Sequence, residues 1–215
     1  MAIVSDSHKF IYVSGGRCAT TSINTRLVSI PGIDFYDPAQ ADPALWKSYN
    51  KHLPAKKIRE LIGKEKWNRY FKFTFVRNTY SWVASSFLYM AERKIFNMPP
   101  DRIMTMQSFQ EVADYFETPV GRRHDDSWPI RSQKCFISDE NYNVIVDYVG
   151  RFEFLQNDFS IICDKIGVAH MELPITNNSL SSAVDWRVNY QKNPGAEKFV
   201  YDKWKMDIDY FGFKL

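Results

Sequence analysis

Lys9-Phe10-Ile11-Tyr12-Val13-Ser14 runs through Gly15-Gly16 into Arg17-Cys18-Ala19-Thr20-Thr21-Ser22, and this stretch decides the architecture. Its first six residues are apolar, β-branched and aromatic, which reads as a short strand entering a glycine turn. From Thr20 to Ile30 the apolar spacing turns helical, with Ile23, Leu27 and Ile30 on one face and Pro31-Gly32 as the stop. The same unit recurs downstream. Tyr70 to Val76 reads as a buried strand, breaks at Arg77-Asn78-Thr79, and passes into a helical stretch from Tyr80 to about Phe96. Val144 to Val149 is a third strand, ending at Gly150-Arg151, with a helix from Phe154 to Ile166 behind it. Further helices are predicted from Pro54 to Ile62, from Phe109 to Phe116 and from about Ala196 to Tyr210. Strands alternating with helices predict an α/β fold with a mainly parallel sheet flanked by helices. With no repeat and no linker, residues 1–215 are expected to form a single domain. In such sheets ligands sit at the carboxyl ends of the strands.

Composition narrows the function. Of the 215 residues, 45% are hydrophobic and 16% aromatic, which excludes intrinsic disorder. The 28 Lys+Arg against 25 Asp+Glu leave a net charge of +3, too small for a general nucleic-acid binder. No apolar run approaches the roughly 18 residues that span a bilayer, and the N-terminus has no signal-peptide core. Cys18, Cys135 and Cys163 are isolated, with neither metal spacing nor an even disulfide framework. The expectation is a soluble, cytoplasmic chain without stable membrane insertion; its oligomeric state is left open.

The first loop has the chemistry of an anion cradle. Gly15, Gly16 and Ala19 let backbone N–H groups turn inward, and the following helix presents its positive dipole end. Thr20, Thr21 and Ser22 add hydroxyl donors and Arg17 adds fixed charge. Counting the P-loop pattern from Gly15 places Ser22 at its Ser/Thr position, but Thr20 stands for its second glycine and Thr21 for its lysine. Losing that lysine argues against a nucleoside triphosphatase. An ordinary strand–turn–helix with a polar cap fits the same residues.

Arg77 at the end of a buried strand, with Ser85 eight residues on, can close a guanidinium fork and a hydroxyl on one phosphate. Taken with the first loop, the pair resembles the sulfotransferases that use 3′-phosphoadenosine 5′-phosphosulfate (PAPS), most closely their carbohydrate-type branch. Arg77, Asn78, Tyr80 and Ser85 follow the family's 3′-phosphate motif, with Thr79 replacing its proline. The resemblance continues through Lys51-His52-Leu53-Pro54-Ala55, Asp147 to Glu153, Leu173-Pro174 with Asn177 and Ser179, and the tail from Val200 to Phe213. In that tail Trp204 and Phe213 stand for tyrosines.

The resemblance implies transfer of a sulfuryl group from PAPS to a hydroxyl, or an amine, of a carbohydrate or small-molecule acceptor, with no metal. Gly15, Gly16, Arg17, Cys18, Ala19, Thr20, Thr21 and Ser22 would hold the phosphosulfate; Arg77 and Ser85 would hold the 3′-phosphate. His52 is the candidate base, an imidazole suited to proton transfer at neutral pH. Arg17 stands where the family carries a catalytic lysine and supplies charge but no proton. Lys9, Lys51 and Lys72 are possible substitutes. Cys18 is either a thiol activated by the helix end or a small loop-filling residue. His124, Trp128 and Gln133 are placed on the acceptor side or in a solvated loop, and Arg151 and Glu153 either touch the cofactor or pair internally. Trp46, Trp67 and Trp82 are read as core. Two other readings remain: a nucleotide kinase with a degenerate P-loop, and an inactive PAPS-binding protein.

Overall fold

A computed structural model of the chain describes residues 1–41, 52–92, 105, 107–108, 132–176 and 185–215. The helix expected over Phe109 to Phe116 lies outside them, as do Trp46, Lys51, His124, Trp128, Asn177 and Ser179.

Four strands form one sheet: β1 (Ile3–Ser5), β2 (Phe10–Val13), β3 (Phe71–Val76) and β4 (Tyr148–Arg151), in that spatial order. The parallel core is the expected one, with β2 beside β3 and β3 beside β4. β1 is an addition, pairing antiparallel with β2. The turn between them contains no glycine; Lys9 takes the left-handed φ of 51°. Asp34 holds that turn by accepting from the Ser7 amide at 2.7 Å, the Ser7 hydroxyl at 2.6 Å and the Ser5 hydroxyl at 3.0 Å.

The third predicted strand is shifted. Val144 makes only an isolated antiparallel bridge to Ser138, and β4 begins at Tyr148. Asp147 fixes that start: its amide donates to the Lys72 carbonyl at 2.8 Å. Its carboxylate accepts from the Lys72 amide at 2.8 Å and meets Lys72 Nζ at 2.9 Å.

The helices are α1 (Thr20–Leu27), α2 (Ala55–Ile62), α3 (Lys64–Arg69), α4 (Thr79–Glu92), α5 (Gln133–Phe136), α6 (Leu155–Ile166), α7 (Trp186–Lys192) and α8 (Ala196–Phe211). Gly63, at φ 85°, ends α2 and opens α3, a short helix that the sequence pattern does not predict. α7 was likewise not anticipated. No helix among the described residues is long and apolar enough to cross a membrane.

The chain divides into two compact units, Met1–Val76 with Asp126–Thr176, and Arg77–Asp125 with Asn177–Leu215. The first holds the sheet, with α6 against β3 and β4. Its core is built on Phe10, Tyr12, Phe73, Phe75 and Phe159, all fully buried. In the second, α7 and α8 pack on α4. Trp82 meets Trp204 edge-on at 6.1 Å, and the Tyr190 hydroxyl donates to the Tyr80 carbonyl at 2.9 Å. Trp67 and Trp82 are buried, as expected of core residues.

Candidate active site

The loop after β2 is wound by its non-glycine residues. Arg17 takes φ 62° and Ala19 φ 57°, while neither Gly15 nor Gly16 has a positive φ. A left-handed conformation costs a residue with a Cβ about 1–2 kcal/mol, and such strain concentrates where a loop must present its backbone in a set direction. Left-handed residues alternating along a turn gather N–H groups into a concave, anion-attracting face. Ala19 then caps α1 without a side-chain bond, its carbonyl accepting from the Ile23 amide at 3.1 Å.

Within the loop, the Thr20 hydroxyl donates to the Gly15 carbonyl at 2.5 Å, and the Ser14 hydroxyl lies 3.5 Å from Thr20 Oγ1. Ser22 is buried and shares a hydrogen bond of 2.7 Å with Thr176. Thr21 is exposed, and Arg17 half-buried. Cys18 is buried, with its thiol directed at the Gly16 carbonyl at 3.4 Å and at Gln133 Oε1 at 3.7 Å. It therefore fills the loop from behind, and Gln133 backs it at the start of α5. Ser132 caps that helix by accepting from the Cys135 amide at 3.1 Å.

His52 joins this group. Its Nδ1 lies 2.9 Å from the carbonyl oxygen of Ser14, the first residue past β2. A carbonyl only accepts, so Nδ1 carries the hydrogen, and in the neutral form of the ring the basic lone pair sits on Nε2. Lys9 and Lys72 are excluded as stand-ins for the family lysine. They lie at the entering ends of β2 and β3, opposite the loop; the Lys9 carbonyl accepts from Phe71 and Lys72 is engaged with Asp147.

At the far end of β4, the Arg151 amide donates to Asp158 at 2.5 Å and the Tyr148 hydroxyl donates to the same carboxylate at 3.0 Å. Burial first, and Asp158 second, push the Tyr148 phenol up to about 12. Glu153 is exposed.

In the second unit, Asn78 caps α4. Its Oδ1 accepts from the Tyr80 amide at 3.0 Å, its carbonyl from the Trp82 amide at 2.8 Å, and its Nδ2 donates to the Lys214 carbonyl at 2.7 Å. Arg77 Nε donates to the Ser81 hydroxyl at 2.7 Å. Ser81 and Ser85 are buried and four residues apart, hence on one face of α4. The Arg77–Ser81 bond is not among the sequence expectations, although the spacing of four residues carries it.

The sequence model of the sulfotransferase family matches residues 1–214. A curated protein of Archaeoglobus fulgidus, described as uncharacterized, is 31% identical over 141 residues, covering 65% of this chain and 98% of its own length. No solved structure matches the chain.

Proposed function

Because this chain belongs to the sulfotransferase family, whose reaction is sulfuryl transfer, we propose that its donor is PAPS and its acceptor a hydroxyl or amine on a carbohydrate or small molecule. One observation carries the reading: the His52–Ser14 hydrogen bond of 2.9 Å fastens the imidazole to the foot of the anion loop through Nδ1, which leaves Nε2 as the basic nitrogen of its neutral form. A base so held keeps its register with the loop that would bind the sulfuryl donor, facing the acceptor whose proton it removes.

The donor set fits a phosphosulfate. The left-handed turns at Arg17 and Ala19 and the N-terminus of α1 suit a tetrahedral dianion, and the Thr20 and Ser22 hydroxyls would turn from the Gly15 carbonyl and Thr176 to join them. PAPS, when bound, supplies the activated sulfuryl group and a phosphate leaving group. Residues Gly15 to Ser22 hold the phosphosulfate end, with Cys18 and Ala19 shaping the turn. Arg17 offsets the charge that grows on the departing phosphate and, being always protonated, acts by electrostatics alone. Ser81 holds Arg77 Nε and so directs the terminal amino groups of a fork that, with Ser85, takes the 3′-phosphate. His52 Nε2 takes the acceptor's proton as the nucleophile advances.

A thermal-shift titration tests this, using 3′,5′-bisphosphoadenosine beside 5′-AMP and ATP–Mg²⁺. At 100 times its Kd a ligand of the folded state adds about 2.7 kcal/mol. Stabilisation by the bisphosphate and not by 5′-AMP is the expected result. Stabilisation by ATP–Mg²⁺ alone would replace this reading with a kinase.

A further inference from the structure

Residues 171–176 follow α6 and belong to no helix or strand, yet side chains fasten their backbone at three successive residues. Gln156 on α6 holds two of them, its Nε2 donating to the Met171 carbonyl at 3.1 Å and its Oε1 accepting from the Leu173 amide at 2.9 Å. Between them, Arg26 Nε on α1 donates to the Glu172 carbonyl. Pro174 brings no amide to be satisfied and biases Leu173 away from helical backbone. Ordering Gln and Arg side chains costs rotamer freedom, so a strap held by them is a segment with a position to keep.

That position is the one it gives Thr176. Thr176 Oγ1 lies 2.7 Å from Oγ of Ser22, the last residue of the anion loop. Ser22 and Arg26 are four residues apart, hence on one face of α1, and both reach the strap. Ser22 is buried and Thr176 half-buried. The chemistry of this pair differs from that of Thr20, whose partner is the Gly15 carbonyl. A carbonyl only accepts, so Thr20 breaks a bond when its hydrogen turns to an anion. A hydroxyl both donates and accepts. When the Ser22 hydrogen turns to an anion, Thr176 can give its own hydrogen to Ser22 Oγ, and the bond persists with its direction reversed. No heavy atom of the pair has to move.

We propose that Thr176 is a positioning residue for the sulfuryl donor: its hydroxyl donates to Ser22 Oγ while Ser22 donates to the phosphate end of the nucleotide. The inference rests on the sulfuryl-donor reading and adds to it a residue outside the loop. Thr176 acts through Ser22 and does not itself touch the ligand. Two hydrogen bonds in series polarise one another, which strengthens Ser22 as a donor.

The test uses the full chain as wild type, Thr176→Val, Thr176→Ala, Thr176→Ser, Ser22→Ala and the double variant Ser22→Ala with Thr176→Val. Calorimetry reads the Kd for 3′,5′-bisphosphoadenosine. Thr176→Val and Thr176→Ala should both weaken binding about three- to tenfold, the range of one neutral hydrogen bond. Thr176→Ser, which keeps the hydroxyl, should bind as wild type does. In the Ser22→Ala background Thr176→Val should weaken binding no further, whereas a loosened fold would weaken it in both backgrounds. An unchanged Kd in Thr176→Val, a Thr176→Ser variant as weak as Thr176→Ala, or additive losses in the double variant would each overturn the proposal. A wild-type protein that does not bind the bisphosphate sinks the donor reading and this proposal together. Wild-type binding with an indifferent Thr176→Val sinks this one alone.

Discussion

At the scale of single residues, the site depends on groups held by what lies behind them. His52 has its tautomer set by the Ser14 carbonyl, and Arg77 has its Nε held by Ser81. His52→Ala should therefore lower turnover about 10²- to 10⁴-fold, the usual worth of a general base, while leaving affinity for 3′,5′-bisphosphoadenosine intact. Steady-state kinetics beside a binding titration check this, and turnover that survives the change would move the base elsewhere. The candidates of this layer were named from the sequence through the family resemblance: the loop from Gly15 to Ser22, His52, Arg77 and Ser85. Its supports were not. Tyr12 reads as a strand aromatic, and its complete burial against Phe73 is a fact of packing. Cys18 was ambiguous between a reactive thiol and a filler until its burial against Gln133 was seen.

At the scale of elements, the reading succeeded where apolar runs are long and failed where a local anchor overrides them. β3 was placed almost to the residue because Phe71 to Val76 is continuously apolar apart from Lys72 and Thr74. β1 escaped notice because three residues carry little pattern and its turn uses Ser, Asp and His in place of glycine. β4 was set too early because Val144 to Val146 look like strand, whereas Asp147 fastens the true start to Lys72. Gly150 has a packing reason in this strand. It lies opposite Phe75 in the β3–β4 register, and a Cβ there would sit 2.6 Å from a Phe75 ring carbon. Phe75 is itself buried, so the ring has little room to give. Gly150→Ala should destabilise the fold by about 1–3 kcal/mol, the range for overpacking, read as a lower urea midpoint at unchanged m-value. Pairing Gly150→Ala with Phe75→Leu should recover part of that loss.

At the scale of the molecule, acid stability follows from where its carboxylates are placed. The Ser7 hydroxyl and amide, with Ser5, hold the Asp34 carboxyl down at about 2. Asn143 and Lys205 lower Asp139 and Asp209 in turn, while burial raises Asp37. A carboxyl depressed below its unfolded value of about 3.9 stabilises the protein above that pH and loses its contribution as the pH falls toward the folded value. Asp34 thus supports the β1–β2 turn at neutral pH and releases it between about pH 4 and 2. Urea midpoints measured from pH 5 to pH 2 should fall, and Asp34→Asn should flatten that fall; an equal slope in both proteins would remove Asp34 from the account. Asp37 works in the opposite direction, favouring the fold while protonated and losing that advantage as the pH rises through its folded value. The hydrogen bond between His52 and Ser14 has a kinematic consequence as well. A proton acceptor mounted on its own loop would add that loop's fluctuations to those of the anion cradle, and the two errors would accumulate. Mounted on the loop's first residue, the imidazole is carried along by each excursion of the turn, so the spacing between ring and loop is conserved while both drift.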